Sequence, residues 1–244
     1  MEEKFTKTPK FSSPLMVAAW PGMGYLSKIS IDFLRRQLRA EFFAEIIQYQ
    51  NSITYKNGLV DLPLIRHRFY YSPSHNIIFC VGEGQPTSAD ESYALACRVV
   101  DMAKRFNVKR IYTMAAYPDE YYDSPKVYGI ATHENLVELL REQKIEIGIE
   151  GMINGLNGLI IGVAKSKEIE GICLLGQIKY VNVPQLRSSK AILDALSSLM
   201  HVPIYTQALV GRAERVEERI RQRLERYEKT NKDIKDVKEP RYIS

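Results

Sequence analysis

The sequence has few of the residues that most often carry chemistry. Its 244 residues include only three cysteines, four histidines and one tryptophan. Cys80, Cys97 and Cys173 are far apart in apolar surroundings, which is typical of buried, reduced thiols in a cytoplasmic protein. Because the histidines are scattered too, neither a metal-ligand cluster nor a disulfide framework is indicated, and we expect no bound metal.

Other absences exclude further classes of protein. No apolar run approaches the roughly 18 residues that span a bilayer, and the first residues, MEEKFTKTPKF, lack the apolar core of a secretory signal. The net charge is +5, but basic and acidic residues are interspersed rather than gathered into a block. We therefore expect a cytoplasmic protein that binds neither membrane nor nucleic acid. Abundant Lys, Glu, Arg, Ile and Tyr favour a thermophilic source.

Apolar runs alternate with amphipathic segments along most of the chain. Strands are predicted near residues 15–20, 42–49, 66–71, 76–81, 110–115, 145–149 and 171–175, and helices near 25–38, 88–106, 135–142, 154–167 and 188–200. This alternation predicts an α/β domain over residues 14–205, in which a mostly parallel sheet carries helices on both faces. Residues 1–13 are predicted to form a separate N-terminal segment.

The composition shifts at Thr206, after which charged residues surround a narrow apolar stripe. The stripe consists of residues at helical intervals: Leu209, Ala213, Val216, Ile220, Leu224 and Tyr227. A C-terminal amphipathic helix is therefore predicted over residues 206–235. It either rests on its own domain or docks on another subunit, and the oligomer contacts would then be Leu209, Val216, Ile220 and Leu224. Residues 236–244, which include Pro240, are predicted to form a flexible tail.

Half of the 14 glycines lie within residues 148–176. Five of them recur at steps of three and four, the spacing that places residues on one face of a helix: Gly148, Gly151, Gly155, Gly158 and Gly162. Each interior glycine costs roughly 1 kcal/mol of helix propensity relative to alanine, so this face must approach something closely. An anion at the helix N-terminus would explain only Gly151 and Gly155. Packing on a sheet or a neighbouring subunit would also explain Gly158 and Gly162.

Three glycine turns that follow predicted strands offer an alternative, enzymatic interpretation. In an open parallel sheet such turns surround a crevice, where backbone amides can bind an anion or nucleotide. The crevice would be lined by Gly22, Gly24, Gly84, Gln85, Gly151 and Asn154. Neither the dinucleotide pattern G-x-G-x-x-G nor the phosphate-loop pattern is present, and tight strand-to-helix turns also explain these glycines. We expect no cofactor.

Candidate catalytic residues are few. Ser27, Ser88 and Ser188 open or adjoin predicted helices and are better explained as caps. His133 neighbours Glu134, but sequence adjacency alone does not define an acid–base pair. No catalytic residue is assigned.

An acidic, tyrosine-rich loop within residues 116–128 is a candidate protein contact. Its acidic residues accompany three tyrosines, of which Tyr121 and Tyr122 are the expected partner contacts. Aromatic side chains are enriched in protein interfaces, which favours this interpretation. The alternative is a loop folded over its own domain.

Four segments together resemble the archaeal branch of the proteasome assembly chaperone 2 family. They read AAWPGMGYL at residues 18–26, FCVGEGQPTS at 79–88, GMINGLNGLIIGVAK at 151–165 and GICLLG at 171–176. The resemblance implies a Rossmann-like fold similar to purine nucleoside phosphorylases, without their catalytic residues. It also implies binding to proteasome core-particle α subunits or related chaperone homologues, and no ATP hydrolysis.

Some members of that family, and some proteasome activators, end in a hydrophobic-Tyr-any motif that inserts between α subunits. This chain ends in Pro-Arg-Tyr-Ile-Ser, so Tyr242 stands one residue early and Arg241 is not hydrophobic. This departure from the motif counts against insertion between α subunits in the same way. A relaxed form of the motif, in which Tyr242, Ile243 and Ser244 contact the partner, is the alternative. The leading hypothesis is a non-enzymatic, homo-oligomeric chaperone or scaffold.

Overall fold

A computed structural model describes residues 1–119, 124–215, 218 and 219. The strands are β1 (Glu2–Phe5), β2 (Leu15–Ala19), β3 (Glu41–Tyr49), β4 (Thr54–Lys56), β5 (Leu59–Asp61), β6 (Leu64–Ser72), β7 (Ile77–Gly82), β8 (Arg110–Pro118), β9 (Val127–Ala131), β10 (Glu146–Ile147) and β11 (Glu170–Ile178). The helices are α1 (Leu26–Gln37), α2 (Ala89–Arg105), α3 (Glu134–Glu142), α4 (Leu156–Ser166) and α5 (Leu186–Met200). Residues 207–215 form a further helix, called here the C-terminal helix.

The central sheet confirms the expected α/β class. Over the described ranges it has nine strands in the order β1-β3-β6-β7-β2-β8-β11-β9-β10, while β4 and β5 pair separately as a hairpin. The four central strands β7, β2, β8 and β11 are parallel, whereas β1, β3 and β6 extend the sheet with antiparallel pairings, as does β9 on the other side. The mixture arises because short connections, such as residues 73–76 between β6 and β7, permit only antiparallel neighbours.

Helices cover both faces of the sheet, as expected. In β2, Met16 and Ala18 face a core formed with α2 and α4, while Val17 and Ala19 face a second core formed with α1, α3 and α5. This follows from the alternation of side chains along a strand. Since both faces of β2 are buried, its sequence is continuously apolar rather than alternating.

Three regions differ from the sequence-based expectations. The N-terminal segment contributes β1, which pairs with β3, and Phe11 packs against Phe43 and Phe106. The predicted tyrosine-rich loop is shorter, because β8 continues to Pro118 and β9 begins at Val127. The segment between β3 and β6 contains the β4–β5 hairpin rather than a loop alone.

Only one of the three serines proposed as caps has that role. Ser88 Oγ accepts a hydrogen bond from Glu91 N at 3.2 Å and so caps α2. Ser27 Oγ instead donates to Met114 O at 2.7 Å, and Ser188 Oγ donates to Gln177 O. Both lie just inside their helices, facing the sheet, where a buried hydroxyl finds its partner on a neighbouring strand.

Candidate interaction surface

The crevice expected at the strand ends is filled by side chains of the chain itself. Gln85 Nε2 donates to Pro21 O at 2.6 Å, and Gln85 Oε1 accepts from Leu156 N at 2.9 Å. Leu156 is the first residue of α4, whose N-terminus would have been the anion site. A carboxamide oxygen therefore occupies the position that an anion would take.

Asn157, which is not among the residues predicted from the sequence, closes the same region. Its Oδ1 accepts from Trp20 N at 2.9 Å, and its Nδ2 donates to Trp20 O at 3.2 Å. The predicted residue Asn154 is exposed in the segment before α4. The sequence could have indicated Asn157, because it is a polar residue near the start of an otherwise apolar helix and a buried amide needs hydrogen-bond partners.

The Trp20 ring is fixed by a buried hydrogen-bonded chain. Trp20 Nε1 donates to His67 Nδ1 at 3.0 Å, so His67 Nε2 carries the proton and faces Gln48 Oε1 at 3.4 Å. Burial lowers the pKa of His67 to about 4, which keeps the ring neutral near pH 7. This histidine is enclosed and holds Trp20 in place; it is not positioned to serve a substrate.

The glycines of the expected crevice have different surroundings. Gly24 has a positive φ of 63°, and its amide donates to Val181 O at 2.6 Å, so it serves a turn. A Cβ on Gly22 would lie 3.8 Å from Asn157 Nδ2, and one on Gly84 would make ordinary contact with Ile65. A Cβ on Gly151 would have no described heavy atom within 4 Å. Among these four glycines, only Gly24 is required by its backbone conformation, whereas a side chain could be accommodated at Gly22, Gly84 and Gly151.

The five glycines do not share one helix face, because α4 begins at Leu156: only Gly158 and Gly162 lie in the helix, Gly155 is its N-cap, and Gly148 and Gly151 precede it. A Cβ on Gly155 would lie 2.6 Å from Gln85 Oε1, and one on Gly158 would lie 2.6 Å from Ile153. In the described part of the chain, no heavy atom approaches within 4 Å of the same position on Gly162, which is exposed. A neighbouring subunit over Gly151 and Gly162 stays a prediction.

Apolar side chains are exposed where β2, β8 and β11 end. This strand-end patch consists of Met23, Tyr25, Tyr117, Tyr180 and Val181, each at least two-fifths exposed. Because the three strands are parallel, the segments that follow them meet at one edge of the sheet. Exposed aromatic clusters of this kind are typical of protein interfaces.

The tyrosine-rich loop begins beside this patch. Tyr121 and Tyr122 lie outside the described residues and stay predictions. Both ends of the loop are joined to Gln177: its Nε2 donates to Asp119 Oδ2 at 2.8 Å, and its Oε1 accepts from Lys126 N at 2.9 Å. The loop therefore starts and ends at the strand-end edge.

The first part of the C-terminal helix rests on its own domain. Leu209 and Ala213 are 1% and 2% exposed and belong to the core that includes α1 and α5. Leu209 is thus covered by its own chain. The other predicted oligomer and partner contacts lie outside the described residues: Val216, Ile220, Leu224, Tyr242, Ile243 and Ser244.

Two of the three cysteines, Cys80 and Cys173, are buried. Burial raises the pKa of the Cys173 thiol to about 12 and that of Cys80 further still. Within the described ranges, no three His, Cys, Asp or Glu side chains are grouped to hold a metal ion. No helix in those ranges is both long and apolar enough to cross a membrane.

Known proteins share sequence and fold with this chain. The sequence model of the PAC2 family matches residues 16–224. An uncharacterized protein of Methanocaldococcus jannaschii, MJ1210, is 25% identical over 93% of this chain and 88% of its own length. Pyrococcus furiosus PbaB, an archaeal proteasome activator, has a TM-score of 0.79 with 26% identity, covering 91% of this chain and 97% of PbaB. Pyrococcus furiosus PbaA, an archaeal homologue of proteasome-assembly chaperone, has a TM-score of 0.75 with 20% identity, covering 99% of both chains.

Proposed function

Because this chain belongs to the PAC2 family, we propose that it is a non-enzymatic, homo-oligomeric chaperone or scaffold. It acts in the cytoplasm without ATP and binds proteasome core-particle α subunits or related chaperone homologues. The observation that carries the proposal is the likeness of fold to PbaB and PbaA, which extends over more than nine tenths of each chain. One of those proteins is a proteasome activator and the other a homologue of an assembly chaperone, and a chaperone-like role follows from that relationship.

The interior of the domain supports a non-enzymatic role. The strand-end region that would hold a substrate is occupied by Gln85 and Asn157, which bond to backbone groups of the chain. His67 and two of the cysteines are buried. No observation on the described residues favours the alternative, an enzyme that binds a small molecule or nucleotide in this crevice.

The proposed contacts are divided among four regions. The C-terminal residues Tyr242, Ile243 and Ser244 face the α subunits, and the tyrosine-rich loop makes a further protein contact. The oligomer is proposed to use the two glycine positions that stay open in this chain, Gly151 before α4 and Gly162 within it, and the later part of the apolar stripe, namely Val216, Ile220 and Leu224. Open space beside Gly162 supports this assignment, because an exposed helix face gains nothing from glycine in the monomer.

Capture by immobilised archaeal α subunits tests the proposal, with this chain left untagged at both ends. We expect the full chain to bind and a chain ending at Glu239 to bind more weakly, because it lacks the tail residues. The double substitution Tyr242→Ala with Ile243→Ala should match the truncation, and Lys238→Ala is the control that keeps the motif.

The outcomes separate the parts of the proposal. If no form binds, the assignment of the α subunits as partners is wrong. If all forms bind equally, the α subunits remain the partners and the contact lies away from the tail. A nucleotide or nucleoside that raises the melting temperature, and loses that effect when Gly84 is replaced by a bulky residue, would favour the enzymatic alternative.

A further inference from the structure

A groove of about 1110 Å³ lies between α1 and the C-terminal helix. Its apolar side chains include Ile29 and Phe33 from α1 and Leu186 from the start of α5, with Tyr25 and Tyr205 at its margins. Ile29 and Phe33 are partly buried against the core and present their remaining surface to the groove. The groove therefore has an apolar floor, formed by residues of the packed helices α1 and α5.

The rim of the groove is strongly basic. Five cations line it, Lys28, Arg36, Arg212, Arg215 and Arg219, together with one carboxylate, that of Asp32. Three of the arginines are spaced at intervals of three and four residues, which places them along one side of a helix. A charge excess of four at one groove contrasts with a net charge of only +5 for the whole chain.

The one carboxylate does not neutralise the arginines. Asp32 forms ion pairs with Lys28 and, at 3.4 Å, with Arg35. In the described part of the chain, no carboxylate forms an ion pair with Arg36, Arg212 or Arg215. Arginine side chains without a carboxylate partner, next to an apolar floor, are suited to bind a segment that carries both carboxylates and apolar side chains.

We propose that this groove binds an acidic amphipathic segment of another protein, most simply a helix with carboxylates along one side and large apolar residues along the other. The apolar residues pack on Phe33, Ile29 and Leu186, while the carboxylates pair with Arg212, Arg215 and Arg36. This is the helix-in-groove mode of recognition, with the charged rim setting orientation and the floor supplying apolar burial.

The charges on the chain favour a foreign partner over its own sequence. Residues 221–244 contain eight basic and five acidic residues, so they are not complementary to a basic groove. A second copy carries the same net positive charge. A nucleic acid would satisfy the rim through its phosphates but would leave the apolar floor without a partner of its own kind.

The test uses the full-length protein and a synthetic, fluorescently labelled helical peptide with glutamates on one side and leucines on the other. Fluorescence anisotropy should detect binding that weakens as salt is added. Replacing both Arg212→Glu and Arg215→Glu should lower the affinity by about tenfold or more, since two charge-assisted contacts become repulsive. The double substitution Lys104→Glu with Lys109→Glu changes the net charge equally, outside the groove, and should leave the affinity within about twofold.

Two matched peptides test the two halves of the site without altering the protein. Lysines in place of the glutamates should abolish binding, and serines in place of the leucines should weaken it strongly, because the floor loses its contacts. Equal affinity for the three peptides, or for the groove and control variants, would overturn the proposal. An oligonucleotide that competes with the peptide and binds more tightly would also overturn it. A fall in oligomer mass caused by the groove substitutions would overturn it too, and would assign the groove to a second copy of this chain.

The peptide test does not depend on α subunits being the partner. Failure of the peptide to bind leaves the capture experiment of the preceding section unaffected. Conversely, if the protein does not bind α subunits but binds the acidic peptide through Arg212 and Arg215, the groove is still a docking site and the proposed proteasome partner is wrong.

Discussion

Trp20 is held by residues that lie far from it in the sequence. Asn157 pairs with its backbone, His67 accepts from its indole, and Gly82 leaves room for the ring. Each contact joins a different element to the end of β2, so Trp20 connects the central strand to α4 through its backbone and to β6 and β7 through its ring. A substitution that displaces the ring should therefore disturb packing in neighbouring elements as well as in its own strand.

Replacing Gly82 by alanine should destabilise the protein. The added Cβ would lie 2.0 Å from Trp20 Cδ1 and 2.2 Å from Trp20 Nε1, so the ring must move and its hydrogen bond to His67 must lengthen. We expect the free energy of unfolding to fall by about 1–3 kcal/mol, as for other overpacked cores. Denaturant unfolding followed by fluorescence checks this directly, because Trp20 is the only tryptophan.

Gly162→Ala is the matched control for that substitution. Its Cβ would have no described heavy atom within 4 Å, and it lies inside α4, so helix propensity should raise the stability by up to about 1 kcal/mol. An unchanged stability for Gly82→Ala would contradict the packing around Trp20. A loss of stability for Gly162→Ala that accompanies a loss of oligomer mass would instead place a neighbouring subunit on this face.

The sequence identifies some of these residues and not others. Gln85 is predicted from its place after a strand, and the structure puts it at the expected crevice, although as the group that fills it. The sequence points to Asn154 rather than to Asn157. The two lie three residues apart, and only the helix start at Leu156 decides which one faces Trp20. A helix boundary depends on tertiary contacts that sequence periodicity does not contain.

At the scale of elements, the buried strands are predictable and the edge strands are not. Apolar runs mark β2, β7 and β11, because a strand buried on both faces is apolar throughout. β1 is mostly exposed and charged, and only its pairing with β3 makes it a strand. The signal for the β4–β5 hairpin is Asn57-Gly58, both of which have the positive φ of a two-residue hairpin turn.

The burial of His67 between Trp20 and Gln48 should make stability depend on pH. Burial lowers the pKa of His67 to about 4 in the folded protein, whereas the pKa of an unfolded histidine is about 6.5. Between pH 6.5 and pH 4, His67 is protonated in the unfolded state and neutral in the folded state, so the free energy of unfolding falls as the pH drops through this range. Below about pH 4, His67 is protonated in both states and lowers the stability no further. Between pH 7 and pH 5 the expected loss is about 2 kcal/mol.

Denaturant unfolding at pH 7, 6 and 5, repeated with His67→Gln, checks this dependence. The variant cannot titrate at this position, so its stability should fall less between pH 7 and pH 5 than that of the unmodified protein. Parallel curves for the two proteins would mean that His67 takes up its proton equally in both states.

At the scale of the whole molecule, the family is recognisable from the sequence without the fold. Four short segments suggest it, and the match of the PAC2 family over residues 16–224 confirms that resemblance. The segments coincide with parts of the fold that have little freedom: the turns after β2 and β7, the start of α4, and β11. The groove beside α1 is not predictable, because its arginines and its apolar floor come from elements that meet only in the folded chain.

The apolar stripe predicted from Leu209 onward should divide into two parts with different roles. Leu209 is buried in its own domain, so Leu209→Ala should lower the free energy of unfolding by about 2–4 kcal/mol, as other large-to-small core substitutions do. The triple substitution of Val216, Ile220 and Leu224 by glutamine keeps helix propensity and should instead reduce the mass in solution while leaving the melting temperature of the dissociated chain unchanged. Light scattering and thermal unfolding on the same samples separate these effects. An unaltered mass for the triple variant would remove the later stripe from the oligomer contact and leave the open positions at Gly151 and Gly162 as the surface to examine next.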